Sequence, residues 1–289
     1  MDDFLFLCRA FGQAEELAQG GGGNISVKLD DTLSIIKSSG VALCDVSKTY
    51  GHTIINHKQV EETLKTEEPT SLEAFVIIGP RPSLETYFHS FLKKYVVHIH
   101  PTIMLPHLCE KHDCCIPYQK PGYDLSVTIY KQYKGESCIH LRNHGVIFTA
   151  DSIPELLEIA HQEYERYRPS NYISLRDFWN IQAEYPDMYV YKLSRAETHV
   201  YLPIVKRWNI RKITPDIALF LYDSVFIEKE QLFIKGVSKS KCLTILEVFR
   251  SYCEIVEQCK HSLTELEVAD ILYMPAERYR LVHTMSTKG

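Results

Sequence analysis

A chain of 289 residues with 32 Lys and Arg against 37 Asp and Glu, 45% hydrophobic and 24% charged, has the balance of a globular protein. Disorder, collagen and a disulfide-stapled miniprotein are excluded, and at this length a core buries roughly 75% of the surface of the unfolded chain, so a metal would serve function rather than folding. A net charge of −5 without a dense Lys/Arg stripe argues against nucleic acid as a partner, and no apolar run approaches the roughly 18 residues of a membrane span.

The acidic start, MDDFLFLCRA, lacks the positive region and cleavage site of a secretory peptide, so a cytoplasmic location is expected. Nine scattered cysteines, with Cys114 and Cys115 merely adjacent, read as buried free thiols. Asn24-Ile25-Ser26 matches a glycosylation pattern that has no meaning without a secretory route.

In chain order, residues 3 to 19 place Phe4, Leu7, Cys8, Phe11, Ala14 and Ala18 at helical spacing, and Gly20 to Gly23 stop that helix. Two alternating runs, Asn24 to Leu29 and Thr32 to Lys37, flank Asp30-Asp31 and predict a β-hairpin. Ser38-Ser39-Gly40 turns the chain, Ala74 to Ile78 is strand-like, and Gly79 to Pro82 is a loop. Ser83 to Lys94 predicts a helix with Glu85, Phe88, His89 and Leu92 on one face, and a strand follows over Tyr95 to His100. Pro121-Gly122 opens a helix to Tyr133. Ser137 to Arg142 and Val146 to Thr149 read as strands around Asn143-His144-Gly145, and Ile153 to Tyr167 as a regular helix.

Residues 168 to 210, rich in Tyr, Pro and charge, read as a linker or a meandering packed segment. Short strands are expected at Ala218 to Leu221 and Gln231 to Ile234, and a helix over Lys239 to Glu257. Strands clustered as hairpins between helices favour a mixed or antiparallel sheet layered with helices over a parallel doubly wound one.

In a strand, His98 and His100 point to the same face, which makes half a metal site. His144, in a tight turn between two strands, is the candidate third ligand, and three imidazoles with an open position form a catalytic pattern. Glu85, on the helix that leads into the His98 strand, suits a fourth ligand or a general base. Plainer readings stand beside these: Glu85 as an acid at a helix N-terminus, His89 as its partner four residues on, and His144 as a turn residue. Gly20 to Gly23 with Asn24, then Ser38-Ser39-Gly40, then Ser83 offer the N–H groups and hydroxyls of a phosphate cradle, although the chain has neither G-x-G-x-x-G nor a P-loop.

In this order, GGGGNISVK at 20–28, SSG at 38–40, PSLETYFH at 82–89, HIHP at 98–101 and NHG at 143–145 resemble the class II aldolase/adducin superfamily. IPYQKPGYDL at 116–125, TPD at 214–216 and LTELEVADILYMPAERYRL at 263–281 are similar to the aldolase portion of bifunctional rhamnulose-1-phosphate aldolase/alcohol dehydrogenase proteins. The resemblance implies an α/β fold: a three-layer α/β/α sandwich with a central, mostly antiparallel sheet and a small C-terminal extension. Residues 1–168 would be the class II aldolase/adducin domain, and 169–289 an extension packed on the same domain.

It also implies a divalent metal, zinc (Zn2+) or another such as manganese or cobalt, held by His98, His100 and His144. Glu85 would be the catalytic carboxylate, and a tyrosine, Tyr118 or Tyr123, the proton donor from a neighbouring subunit. Asn24, Ser39, Gly40 and Ser83 would bind the substrate phosphate. Leu84 replaces the second serine of the common P-S-S-E motif, which removes one hydroxyl.

The implied activity is that of a lyase of carbohydrate metabolism, with reversible retro-aldol cleavage of a ketose 1-phosphate or related sugar by a homo-oligomer such as a tetramer. Alternatives on the same fold are a sugar-phosphate epimerase, a dehydratase and a non-catalytic adducin-like binding protein.

Overall fold

The alternating residues between 24 and 37 form the expected hairpin. Strands β1 (Asn24–Lys28) and β2 (Leu33–Lys37) pair antiparallel with Ser26 opposite Ile36. Its turn closes on the Asp30 carboxylate, which accepts from the N–H groups of Thr32 and Leu33 at 2.7 Å each. The computed structural model describes residues 1–108, 115–170, 172–211, 220–221, 223–259 and 262–273. The chain divides into two compact units, residues 1–170 with 174–176, and residues 171–173 with 177–289.

In the first unit the sheet continues through β3 (His52–Asn56), β4 (Val76–Ile78), β5 (Tyr95–Ile99), β6 (Cys115–Ile116), β7 (Cys138–Leu141) and β8 (Gly145–Ala150). The eight described strands run in the order β4-β3-β2-β1-β5-β8-β7-β6, antiparallel throughout except for the β6–β7 pair. The helices are α1 (Asp2–Gly12), α2 (His57–Thr66), α3 (Thr86–Phe91), α4 (Tyr123–Gln132) and α5 (Ile153–Glu165).

The register sorts side chains between two faces. Asn24 lies opposite His98, Ser26 opposite Val96, and His98 opposite Ile147, so these residues share one face. On that face Phe88 and Leu92 from α3 and its end, with Leu125 and Ile129 from α4, pack on Val96, Ile139, Leu141 and Ile147. Val60 and Leu64 of α2 pack on Ile36 and Ile55. The opposite face is covered by α1, where Tyr95 donates to the Asp3 carboxylate at 2.7 Å, and by α5, whose Glu163 reaches His140. The result is the layered helix–sheet–helix arrangement expected.

Some elements depart from expectation. The first helix stops at Gly12 rather than continuing to 19, because the 3-10 turn Leu43–Asp45 closes on it: a Cβ at Gly12 would stand 2.6 Å from both Leu43 and Cys44. Helix α3 is shorter than the predicted span, and Glu85 sits at its N-cap, just outside the first turn. Ala74 to Ile78 divides between a 3-10 turn, Leu72–Phe75, and the three residues of β4.

Within 168–210, read as linker or meander, lie α6 (Leu175–Glu184), β9 (Tyr189–Lys192) and α7 (Arg195–Trp208). Helix α7 opens with a capping box in which Ser194 and Glu197 satisfy each other's backbone N–H groups. Strands β10 (Val225–Glu228) and β11 (Gln231–Gly236) join β9 in a three-stranded antiparallel sheet ordered β10-β11-β9, followed by α8 (Lys239–Ile255) and α9 (Glu265–Tyr273).

Of the strand expected at 218–221, residues 218 and 219 lie outside the described residues, and Phe220 and Leu221 are not in a strand. The TPD segment at 214–216, Cys114 and residues 274–281 of the closing motif also lie outside them. Cys8, Cys242 and Cys253 are buried free thiols, while Cys44, Cys138 and Cys259 are partly exposed. Cys115 departs from the free-thiol expectation, being disulfide-bonded. Among the described residues no helix is long and apolar enough to cross a membrane.

Candidate active site

Strand β5 delivers His98 to the α3 side of the sheet, fully buried. Its Nδ1 lies 3.1 Å from the Val146 carbonyl oxygen, so Nδ1 carries the hydrogen and donates it, leaving Nε2 bare. His100 follows the end of β5, and its Nε2 faces that of His98 at 3.1 Å. His144 comes from the turn between β7 and β8, where Asn143 adopts a left-handed φ of +56°. The three rings lie 4.8 to 5.0 Å apart by centroid. Their nitrogens fall within 4.8 Å of one another.

Close approach of β5 and β8 creates this cluster, and Gly145 permits it. A Cβ there would stand 2.3 Å from the Ile99 carbonyl oxygen and 2.9 Å from the His100 ring. Gly145→Ala is therefore expected to force the two strands apart and to destabilise the protein by about 3 kcal/mol in urea unfolding, at the upper end of overpacking costs. An unchanged urea midpoint would contradict this close packing.

Glu85 enters from the N-cap of α3. Its Oε2 lies 3.5 Å from His98 Nε2 and its Oε1 3.3 Å from His144 Nε2. Glu85 Oε1 and His144 Nδ1 are buried yet form no hydrogen bond. Burial raises the Glu85 pKa to about 7 against the opposing pull of the Asn24 hydrogen bond and the Lys37 charge. Burial and the neighbouring His100 lower His144 to about 4, and burial with His100 and His144 holds His98 well below its usual range. His100 is lowered as well, by burial and then by Lys37. Three neutral imidazoles converging beside a carboxylate with an unsatisfied oxygen match the donor set of a divalent ion such as zinc.

A second cluster of metal-ligating groups, Cys138, His140 and Glu163, is arranged otherwise. Glu163 Oε1 pairs with His140 at 3.0 Å and Oε2 with Arg166 at 2.9 Å, so its charge is neutralised within the fold.

The expected phosphate residues lie on adjoining turns: a Cβ at Gly21 would stand 3.6 Å from Gly40, and the Glu85 N–H donates to the Ser83 hydroxyl at 3.4 Å. Ser39, Gly40 and Ser83 come together, because a bridge between Ser38 and Pro82 ties their two turns. Ser39 N–H donates to the Arg81 carbonyl at 2.9 Å, and Ser83 N–H to that of Lys37 at 3.1 Å. Asn24 joins them through Glu85, to whose Oε2 its Nδ2 donates at 2.7 Å. Tyr118 is exposed, whereas the Tyr123 hydroxyl donates to the Thr63 carbonyl at 2.9 Å.

Two residues were missed or misread in the sequence. His89, read there as a partner for Glu85, bonds Asn24 and Ser26 instead. Lys37, only 2% exposed, donates to the carbonyls of Gly21 at 3.0 Å and Val41 at 2.7 Å, so it ties the glycine run to the chain after Ser39-Gly40. A lysine directly after Ile35-Ile36 was the available signal.

The family model described as the Class II Aldolase and Adducin N-terminal domain matches residues 3–165. Among solved structures, the N-terminal class II aldolase domain of a conserved protein from Thermoplasma acidophilum is similar at 26% identity, covering 57% of this chain and 87% of that one with a TM-score of 0.49. The L-fuculose-1-phosphate aldolase from Thermus thermophilus is similar at 14% identity, over 64% of this chain and 98% of that one, with a TM-score of 0.40. L-fuculose 1-phosphate aldolase from Glaciozyma antarctica is similar at 11% identity, over 90% and 91%, with a TM-score of 0.41. No curated protein matches the sequence.

Proposed function

The chain belongs to the class II aldolase and adducin family, and from that membership we propose that it is a divalent-metal-dependent aldehyde-lyase that reversibly cleaves a ketose 1-phosphate, or a related sugar, by a retro-aldol reaction. The observation that carries this reading is the buried Glu85 carboxylate, within 3.5 Å of two of three mutually facing histidines. In this reading His98, His100 and His144 hold zinc, manganese or cobalt. When bound, the ion supplies a Lewis acid for the sugar's carbonyl oxygen.

Glu85 takes the proton of the hydroxyl next to the breaking bond and returns one to the carbon that the cleavage frees. Burial of the site keeps water from that carbon. The Ser39 and Ser83 hydroxyls and the Gly40 N–H bind the phosphate, with the second amide hydrogen of Asn24. Tyr118, offered across a contact between copies of the chain, is the proton donor of this reading: its phenol relays that same proton between the sugar hydroxyl and Glu85, giving one hydrogen and taking one back. In the aldol direction it donates to the aldehyde oxygen, a role closed to Tyr123, whose hydroxyl is engaged with Thr63.

The test is product analysis with purified protein, each of the three metals and a panel of ketose 1-phosphates. Cleavage is expected to release dihydroxyacetone phosphate and an aldehyde, and only in the presence of metal. Return of the sugar with inverted stereochemistry, or with loss of water, would replace the aldolase by an epimerase or a dehydratase. No metal uptake and no turnover would leave the adducin-like binding reading.

A further inference from the structure

Glu85 is held by a chain of side chains that alternates between helix and sheet. From α3 and its N-cap come Glu85 and His89, and from β1 come Asn24 and Ser26. The order is Glu85, Asn24, His89, Ser26. Asn24 Nδ2 donates to Glu85 Oε2 at 2.7 Å, Asn24 Oδ1 meets His89 Nε2, and His89 Nδ1 meets the Ser26 hydroxyl at 2.7 Å. All four residues are at most 5% exposed.

The direction of every bond follows from the carboxylate end. An ionised carboxylate only accepts, so Asn24 must turn its NH2 group toward Glu85 and its carbonyl toward His89. A carbonyl also only accepts, so His89 must carry its hydrogen on Nε2. Its Nδ1 is then bare and takes the Ser26 hydroxyl hydrogen. Neutral His89 is what this requires, and burial supplies it by lowering the pKa to about 3. Phe88 stacks on the His89 ring at 4.7 Å and 21°, which limits its rotation.

We propose that His89 is a positioning residue for Glu85: by donating from Nε2 to Asn24 it fixes the Asn24 amide so that its N–H orients the Glu85 carboxylate toward His98 and His144. This inference rests on the proposed role of Glu85 in proton transfer. It makes Asn24 the link between His89 and the carboxylate. An Asn24 amide without that donor is free to turn its carbonyl toward Glu85, which would repel the carboxylate from its place between the two imidazoles.

The first measurement does not depend on turnover. In two-bond 1H–15N spectra of protein labelled with 15N-histidine at pH 8, with and without zinc, His89 is expected as the neutral Nε2–H tautomer in both states. The Nδ1–H tautomer or an imidazolium would overturn the proposal. The second compares His89→Leu with His89→Gln, the amide of which retains a donor at the Nε2 position.

His89→Leu is expected to lower kcat by about 10- to 100-fold, the usual cost of losing an orienting partner, with KM and zinc content unchanged, while His89→Gln recovers most of the loss. A kcat for His89→Leu within about twofold of wild type, or equal loss in both variants, would overturn it, since a merely structural pin shows neither the kcat-only effect nor the rescue. Should His89→Leu fail to fold, the tautomer of the wild-type protein decides. If no sugar is cleaved at all, the aldolase reading falls by itself and the spectra still judge the arrangement of His89 and Asn24.

Discussion

Glu85→Gln is expected to slow carbon–carbon cleavage by about 10²- to 10⁴-fold, the range for loss of a general acid–base group, with metal content unchanged. Gln keeps the shape of the side chain and can still accept from Asn24 Nδ2 through its carbonyl oxygen, so the bond seen at 2.7 Å survives. What it loses is the ability to take and return a proton. The substitution also removes a charge that is 5% exposed and whose Oε1 has no hydrogen bond, so the metal-free variant is expected to be no less stable than wild type in urea. Loss of activity with intact metal content and stability would separate chemistry from folding. Cleavage at the wild-type rate would remove Glu85 from the mechanism.

His144→Ala is expected to abolish bound metal, from about one ion per chain to a trace, because a catalytic ion is held by three protein ligands and the variant removes one of the three imidazoles. This histidine is the clean probe of the three. Its side chain is 11% exposed and its Nδ1 makes no hydrogen bond, so truncation costs the fold little.

His98 contrasts with it, being fully buried with Nδ1 committed to the Val146 carbonyl. His98→Ala is expected to lose the metal and also about 1–3 kcal/mol of stability from the carbonyl left without its donor. Zinc at 100 times its dissociation constant should stabilise wild type by about 2.7 kcal/mol by mass action and His144→Ala not at all. Elemental analysis with thermal unfolding, with and without zinc, checks both statements. Metal retained in His144→Ala would dissolve the proposed triad.

Much of the first unit was legible in the sequence because its signals are local. Period two over Asn24 to Lys37 and an aspartate at the turn specify a hairpin without reference to anything distant. The same period puts His98 and His100 on one face, and the turn chemistry of Asn143-His144-Gly145 marks a tight reversal. Residues 175–208 were not legible, since interspersed Tyr, Pro and charged residues blur the apolar period of their elements, Pro203 inside α7 among them. The clearest local mark there is the box formed by Ser194 and Glu197 at the start of α7. Helix α3 was overextended because its apolar spacing continues through Leu92, while the backbone leaves the helix there with an extended ψ of 175°.

The sequence by itself determined which groups this protein owns: a His-x-His pair on a strand, a histidine in a turn, an acid ahead of a helix, and small donors in glycine-rich turns. Which of them meet was decided only by tertiary structure. Pairing of β5 with β8 brings His144 to His98, and pairing of β1 with β5 sets Asn24 opposite His98, within reach of Glu85. The physical reason is that a buried polar side chain takes whatever partner the strand register and helix packing put within about 3 Å of it, because leaving it unpaired is costly. Residue type tells what a side chain can donate or accept. Register, which long-range packing sets, tells to whom.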